Sequence, residues 1–144
     1  MKILVATGIY PPTIGGPATY SKILHDKLPE RGMGVEIRSF DEVRHLPKVL
    51  RHIAYFFKVI LRSRGCDLIY AQDPVSVGFP AMLAAKILRK RFMLKIVGDY
   101  AWEQGAQRFG VRDLLDEFSV NKSKYGFMIR AFKWVQFQVQ KGAD

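Results

Sequence analysis

Asp73 and Asp99 each stand just beyond a short apolar run, Asp67 to Ala71 and Phe92 to Val97, and Glu103 follows Asp99 by four residues. Carboxylates so placed can orient a ligand's hydroxyls or accept the proton of an attacking hydroxyl. Upstream, the run Ile3 to Thr7 leads into Gly8-Ile9-Tyr10-Pro11-Pro12-Thr13-Ile14-Gly15-Gly16-Pro17, after which residues recur at helical spacing. Gly15 and Gly16 permit close approach to the backbone where a helix starts, and unpaired amides at the positive end of a helix dipole favour an anion. Pro17 suits the first helical turn, where its missing N–H costs no internal bond. Each feature also has a plainer reading. Asp99 can cap a helix beginning at Tyr100, Asp73 before Pro74 can form a turn, and Gly15-Gly16 can be a tight turn and nothing more.

Several chemistries are excluded by spacing. A dinucleotide fingerprint would begin near Gly8, yet Gly8 and Gly15 are seven apart with two prolines between them. A Walker A loop needs Gly-Lys-Ser/Thr at the helix start, where this chain has Gly16-Pro17-Ala18. His25, His45 and His52 lack a further ligand at useful spacing, so no metal site is expected. Cys66, the single cysteine, reads as an inert buried thiol. Asp113, Asp116 and Glu117 read as a solvated acidic face.

These residues are carried by alternating elements. Ile3 to Thr7, Val35 to Phe40, Asp67 to Ala71 and Phe92 to Val97 read as strands. Ala18 to Arg31, closed by Gly32, then Leu46 to Ser63 and Val77 to Lys90 read as the helices between them. Such alternation specifies a parallel sheet covered on both faces, whose ligands bind beyond the carboxyl ends of its strands. After Gly98 the pattern predicts a polar, glycine-punctuated stretch to Gly110, a short helix from Val111 to Phe118, a loop from Ser119 to Lys124 and a helix from Tyr125 to Lys141. The closing Lys141-Gly142-Ala143-Asp144 reads as the approach to another strand, so the chain is expected to be the front of a longer protein.

The chain has 144 residues and a formal net charge of +10, from 23 Lys and Arg against 13 Asp and Glu. An anionic partner is expected on that count alone. Lys48, Arg51, Lys58 and Arg62 fall on a stretch with no acidic residue, together with Val49, Ile53, Phe56, Phe57 and Ile60. This reads as an amphipathic helix whose basic face either meets an anionic membrane or is solvated while the apolar face packs on the sheet. The apolar segment Ile53 to Leu61 is too short to cross a bilayer, and the start of the chain does not read as a cleavable leader. No nucleic-acid-binding signature accompanies the charge, and the aromatics do not interleave with the basic runs.

Three segments in order resemble the amino-terminal domain of family-4 (group 1) retaining glycosyltransferases of GT-B fold. They are Met1 to Tyr20 with Tyr10-Pro11-Pro12 and Gly15-Gly16, Cys66-Asp67-Leu68-Ile69-Tyr70-Ala71-Gln72-Asp73-Pro74, and Lys95-Ile96-Val97-Gly98-Asp99-Tyr100-Ala101-Trp102-Glu103. The resemblance covers nearly the whole chain and implies a single α/β domain, a Rossmann-like parallel sheet with helices on both faces, forming the acceptor-side half of the enzyme. It implies sugar transfer from a nucleotide diphosphate sugar to a hydroxyl acceptor, lipid-linked or a polysaccharide precursor, without a cofactor, in the cytoplasm or at the inner face of the membrane. Gly16 matches the family's glycine beside the donor diphosphate, with Gly15 and Tyr10 in the same loop, and Asp73 and Glu103 are the expected substrate contacts. Where many relatives carry a histidine this chain has Gly98, which leaves Asp99 as the expected catalytic residue. The donor nucleotide would be held mainly by a second Rossmann-like domain bearing paired glutamates, so these residues alone are expected to be inactive. A non-catalytic anion-binding or nucleic-acid-binding module is the alternative.

Overall fold

The computed structural model describes residues 1–120 and 124–144. β1 (Lys2–Thr7), β2 (Gly34–Ser39), β3 (Leu68–Ala71) and β4 (Arg91–Leu94) form an all-parallel sheet in the order β2-β1-β3-β4. The central strand β1 sets Val5 opposite Ile37 on one side and Tyr70 on the other. α1 (Gly16–Lys27) crosses from β1 outward to β2, whereas α2 (Lys48–Ser63) and α3 (Gly78–Leu88) carry the chain back to β3 and on to β4. Right-handed crossovers in opposite directions place α1 on one face and α2 with α3 on the other. The result is a Rossmann-like α/β arrangement, as the alternation of elements predicts.

Side-chain alternation along the strands divides the core accordingly. Leu4, Ala6, Ile69, Ala71 and Phe92 pack with Tyr55 and Val59 of α2 and with Ala81, Met82, Ala84 and Ala85 of α3. Ile3, Val5 and Leu68 pack with Leu24 and Leu28 on the α1 side. Beyond β4 lie α4 (Tyr100–Phe109), α5 (Leu115–Val120) and α6 (Phe127–Lys141). They enclose a separate small core of Ala101, Phe118, Tyr125 and Ile129. Asp144 lies along the outer edge of β4, its amide donating to Phe92 O at 2.9 Å and its Oδ2 accepting from Phe92 N at 2.7 Å.

Five local expectations are corrected. The first helix stops at Lys27, and a 3-10 turn over Pro29–Arg31 follows, because proline cannot donate the next helical bond. Gly32 then reverses the chain at φ 74°. β4 ends at Leu94, although Lys95 N still donates to Ala71 O at 2.8 Å. The polar stretch after Asp99 is helical, since Ala101 and Gly105 turn a buried side toward α6. Gly105 is there because a Cβ would press on Val111 at 3.1 Å. The short helix expected over Val111 to Phe118 is instead Leu115–Val120, which takes in Ser119 of the expected Ser119–Lys124 loop, and residues 121–123 of that loop lie outside the described residues.

The fifth correction concerns α2. Its buried side is Tyr55, Val59 and Ser63, with the Tyr55 hydroxyl donating to Arg38 O at 2.8 Å. Val49, Ile53, Phe56, Phe57 and Ile60, read together as one apolar face that either packs on the sheet or meets a membrane, divide: Phe56 and Ile60 pack against the core, whereas Val49, Ile53 and Phe57 are 71%, 49% and 56% exposed. Among the described residues, no helix is long and apolar enough to cross a membrane.

Candidate functional site

At the carboxyl ends of the strands a cleft of about 500 Å³ opens between the start of α1, the turn after β3 and the first turns of α4. Gly16, Asp73, Lys95, Gly98, Tyr100, Glu103 and Gln104 line it. Three separated stretches of sequence therefore meet here, as parallel-sheet geometry demands of residues that follow strands.

The α1 side rests on a buried polar chain. The Thr7 hydroxyl lies 3.0 Å from Ile9 O and 3.4 Å from Gln72 Oε1, Gln72 Nε2 donates to Ser21 Oγ at 2.8 Å, and Ser21 Oγ donates to Pro17 O at 2.7 Å. This chain runs from β1 through the residue after β3 to the first turn of α1, and so fixes where Gly16 stands. Gly15 is the residue preceding the helix, with extended backbone, and a Cβ on it would lie 2.6 Å from Ile9 Cδ1. Gly16 is exposed, and nothing would stand within 4 Å of a Cβ there, so its position is open to a ligand rather than packed.

Asp73 is half-buried beneath the cleft. Its Oδ1 accepts from the amides of Val75 at 2.9 Å, Ser76 at 2.6 Å and Val77 at 3.4 Å, ordering the turn that enters α3. Burial pushes its carboxyl above the usual aspartate range, and those three amides oppose the rise. Gly78 lets this turn close, since a Cβ there would collide with the Asp73 carbonyl. Ser76 Oγ meets the Tyr100 hydroxyl at 3.0 Å, joining the turn after β3 to α4. Burial raises the Tyr100 hydroxyl above its usual range.

On the α4 side, Glu103 is exposed and folds back so that its Oε1 fills the space a Cβ on Gly98 would take. A side chain at position 98 would force that carboxylate to shift. Gln104 Oε1 is buried in the wall with no hydrogen-bond partner among the described residues. Lys95 Nζ sits 3.4 Å from the centroid of the Tyr20 ring, and Tyr20 in turn approaches the Tyr70 hydroxyl at 3.5 Å. The charged side chains lining the cleft are thus Asp73, Glu103 and Lys95.

Of the expected site residues, Gly16, Asp73 and Glu103 come together here. Asp99 does not line this cleft. Its Oδ1 accepts from Trp102 N at 2.9 Å as the cap of α4, and its side chain borders a second cavity of about 450 Å³ with Arg130, Trp134, Phe137 and Gln140. Tyr10 borders a third cavity with Pro11, Pro12, Ile37 and Asp41. Of the basic residues on α2, Lys48 is exposed, Lys58 pairs with Glu42 at 2.9 Å, and Arg62 approaches Glu36 at 3.7 Å. Arg51 is half-buried, its Nε without a hydrogen-bond partner among the described residues.

Tyr20, Gln72, Lys95, Tyr100 and Gln104 were not legible as site residues. Only the one-turn spacing of Tyr100, Glu103 and Gln104 hints that they share a helix face. Cys66 is fully buried, and burial pushes its thiol up, which agrees with an inert role. Compared with known proteins, the chain matches no family model and no curated protein.

Proposed function

We propose that this chain is the acceptor-side half of a retaining glycosyltransferase, which passes a sugar from a nucleotide diphosphate sugar to a hydroxyl group. The observation that carries the reading is the convergence of Gly16, Asp73, Gly98, Tyr100 and Glu103 at one strand-end cleft, because these residues come from the three segments that bear the resemblance. The chemistry of the wall suits a polyol better than a polyanion. Glu103 and Gln104 Oε1 can accept from hydroxyls, and Lys95 supplies one cation against two carboxylates. A diphosphate would meet the open backbone at Gly16, where α1 begins, and its nucleoside would be held by a second domain.

Glu103 is the group we assign to the attacking hydroxyl, with Asp99 positioning it by capping α4. Work at the inner face of a membrane, on a lipid-linked acceptor, belongs to the same proposal. The test is nucleoside diphosphate release from nucleotide sugars by the complete polypeptide containing these residues. Glu103→Gln should lower kcat by about 10²-fold or more with little change in thermal stability. Unchanged kcat would remove Glu103 from the chemistry, and no transfer with any donor would overturn the reading.

A further inference from the structure

α2 carries two apolar stripes, and only one of them meets the sheet. The outward stripe is Val49, Ile53, Phe57 and Leu61, at every fourth residue, with Leu50 beside it. These five are 71%, 49%, 56%, 58% and 53% exposed. At 1.5 Å per residue the stripe runs about 18 Å along one helix. Scattered exposed apolar side chains are ordinary, but a contiguous row on one helix marks a surface that something covers.

We infer that this stripe is an in-plane membrane contact, inserting Val49, Ile53, Phe57 and Leu61 among the acyl chains of an anionic bilayer while the helix's cations meet its headgroups. Charge complementarity selects the occupant. The stretch from Arg44 to Arg64 contains no acidic residue, and the whole chain carries a net charge of +10. Lys48, Arg51 and Arg64 have no ion-pair partner among the described residues, while Lys58 and Arg62 are turned toward Glu42 and Glu36 on the β2 side. A second copy of the chain would bring the same positive charge against itself, whereas an anionic lipid surface neutralises it.

This inference rests on the membrane-surface part of the proposed function and not on sugar transfer, so its test uses no sugar substrate. The purified chain is sedimented with vesicles of phosphatidylcholine alone and with vesicles containing phosphatidylglycerol. Binding should be at least tenfold stronger to the anionic vesicles. Combined Ile53→Ser, Phe57→Ser and Leu61→Ser should reduce it at least tenfold with an unchanged circular-dichroism spectrum and Tm. Phe57→Trp supplies a second readout, a blue shift of the added emission on binding relative to the parent. Equal or negligible binding to both vesicles, an unshifted emission from the Phe57→Trp variant, or a dimer in sedimentation equilibrium that the serine variant dissolves would overturn it. Loss of vesicle binding would leave the transferase chemistry standing, and failed sugar transfer would leave this surface standing.

Discussion

Asp99 illustrates how one carboxylate can satisfy two readings of a sequence. Its position beyond a strand suggests a reacting group, yet its Oδ1 accepts from Trp102 N and starts α4. Asparagine caps a helix about as well as aspartate does, whereas alanine forfeits about 1 kcal/mol. Asp99→Asn should therefore leave the thermal midpoint near that of the parent, and Asp99→Ala should lower stability by about 1 kcal/mol, measured by urea unfolding. Equal loss in both variants would show that the charge, not the cap, is what α4 needs. In the transfer assay, an Asp99→Asn variant that retains its fold but loses turnover would restore Asp99 to the chemistry. Asp73 was legible as a strand-end residue. It was equally legible as a turn former before Pro74; that as many as three amides close on its Oδ1 was not, because the turn depends on Gly78 admitting the Asp73 carbonyl.

At the scale of elements, the cleft depends on how α1 is held against β1 and β3. Thr7, Gln72 and Ser21 form a buried polar relay whose members come from three elements or their ends. Ser21→Ala leaves the Gln72 amide without its partner in a buried place, at a cost of about 1–3 kcal/mol. The same change should speed hydrogen exchange at the start of α1 more than in α3, which a mass-spectrometric exchange experiment would read. Uniform exchange in both helices would mean that the relay does not anchor α1. The strands and most helices were legible from apolar runs bounded by glycine and proline, since a parallel strand buried on both faces has little polar punctuation of its own. α4 was legible only as the alternative in which Asp99 caps a helix beginning at Tyr100, because its composition is polar and the residues it buries fully, Ala101 and Gly105, are small.

For the molecule as a whole, Asp73 gives stability a defined dependence on pH. Burial raises its carboxyl in the folded state, so folding is favoured when the group is protonated and this contribution is lost as pH rises from about 4 through the raised value. Asp73→Asn keeps an acceptor for the turn amides and does not ionise. The stability of the variant relative to the parent should therefore grow between about pH 3 and pH 7 in parallel denaturation series, and a gap that shrinks would overturn the assignment. Asp26 and Asp113 work in the opposite sense. Lys22 and His25 hold the first below its usual range, and Tyr125 and Lys124 hold the second there, so their contributions fade as pH falls.

The sequence by itself determined the alternation of strands and helices, hence a parallel sheet and the rim to which residues beyond each strand must go. Tertiary structure alone decided which of those residues share a cleft and which way α2 faces. Spacing shows an apolar face on that helix and cannot say which of its residues meet the sheet. The answer lies in polar atoms. Tyr55 can be buried because Arg38 O, near the end of β2, accepts its hydroxyl hydrogen, and with Phe56, Val59 and Ile60 packed beside it the stripe of Val49, Ile53, Phe57 and Leu61 is left to face outward.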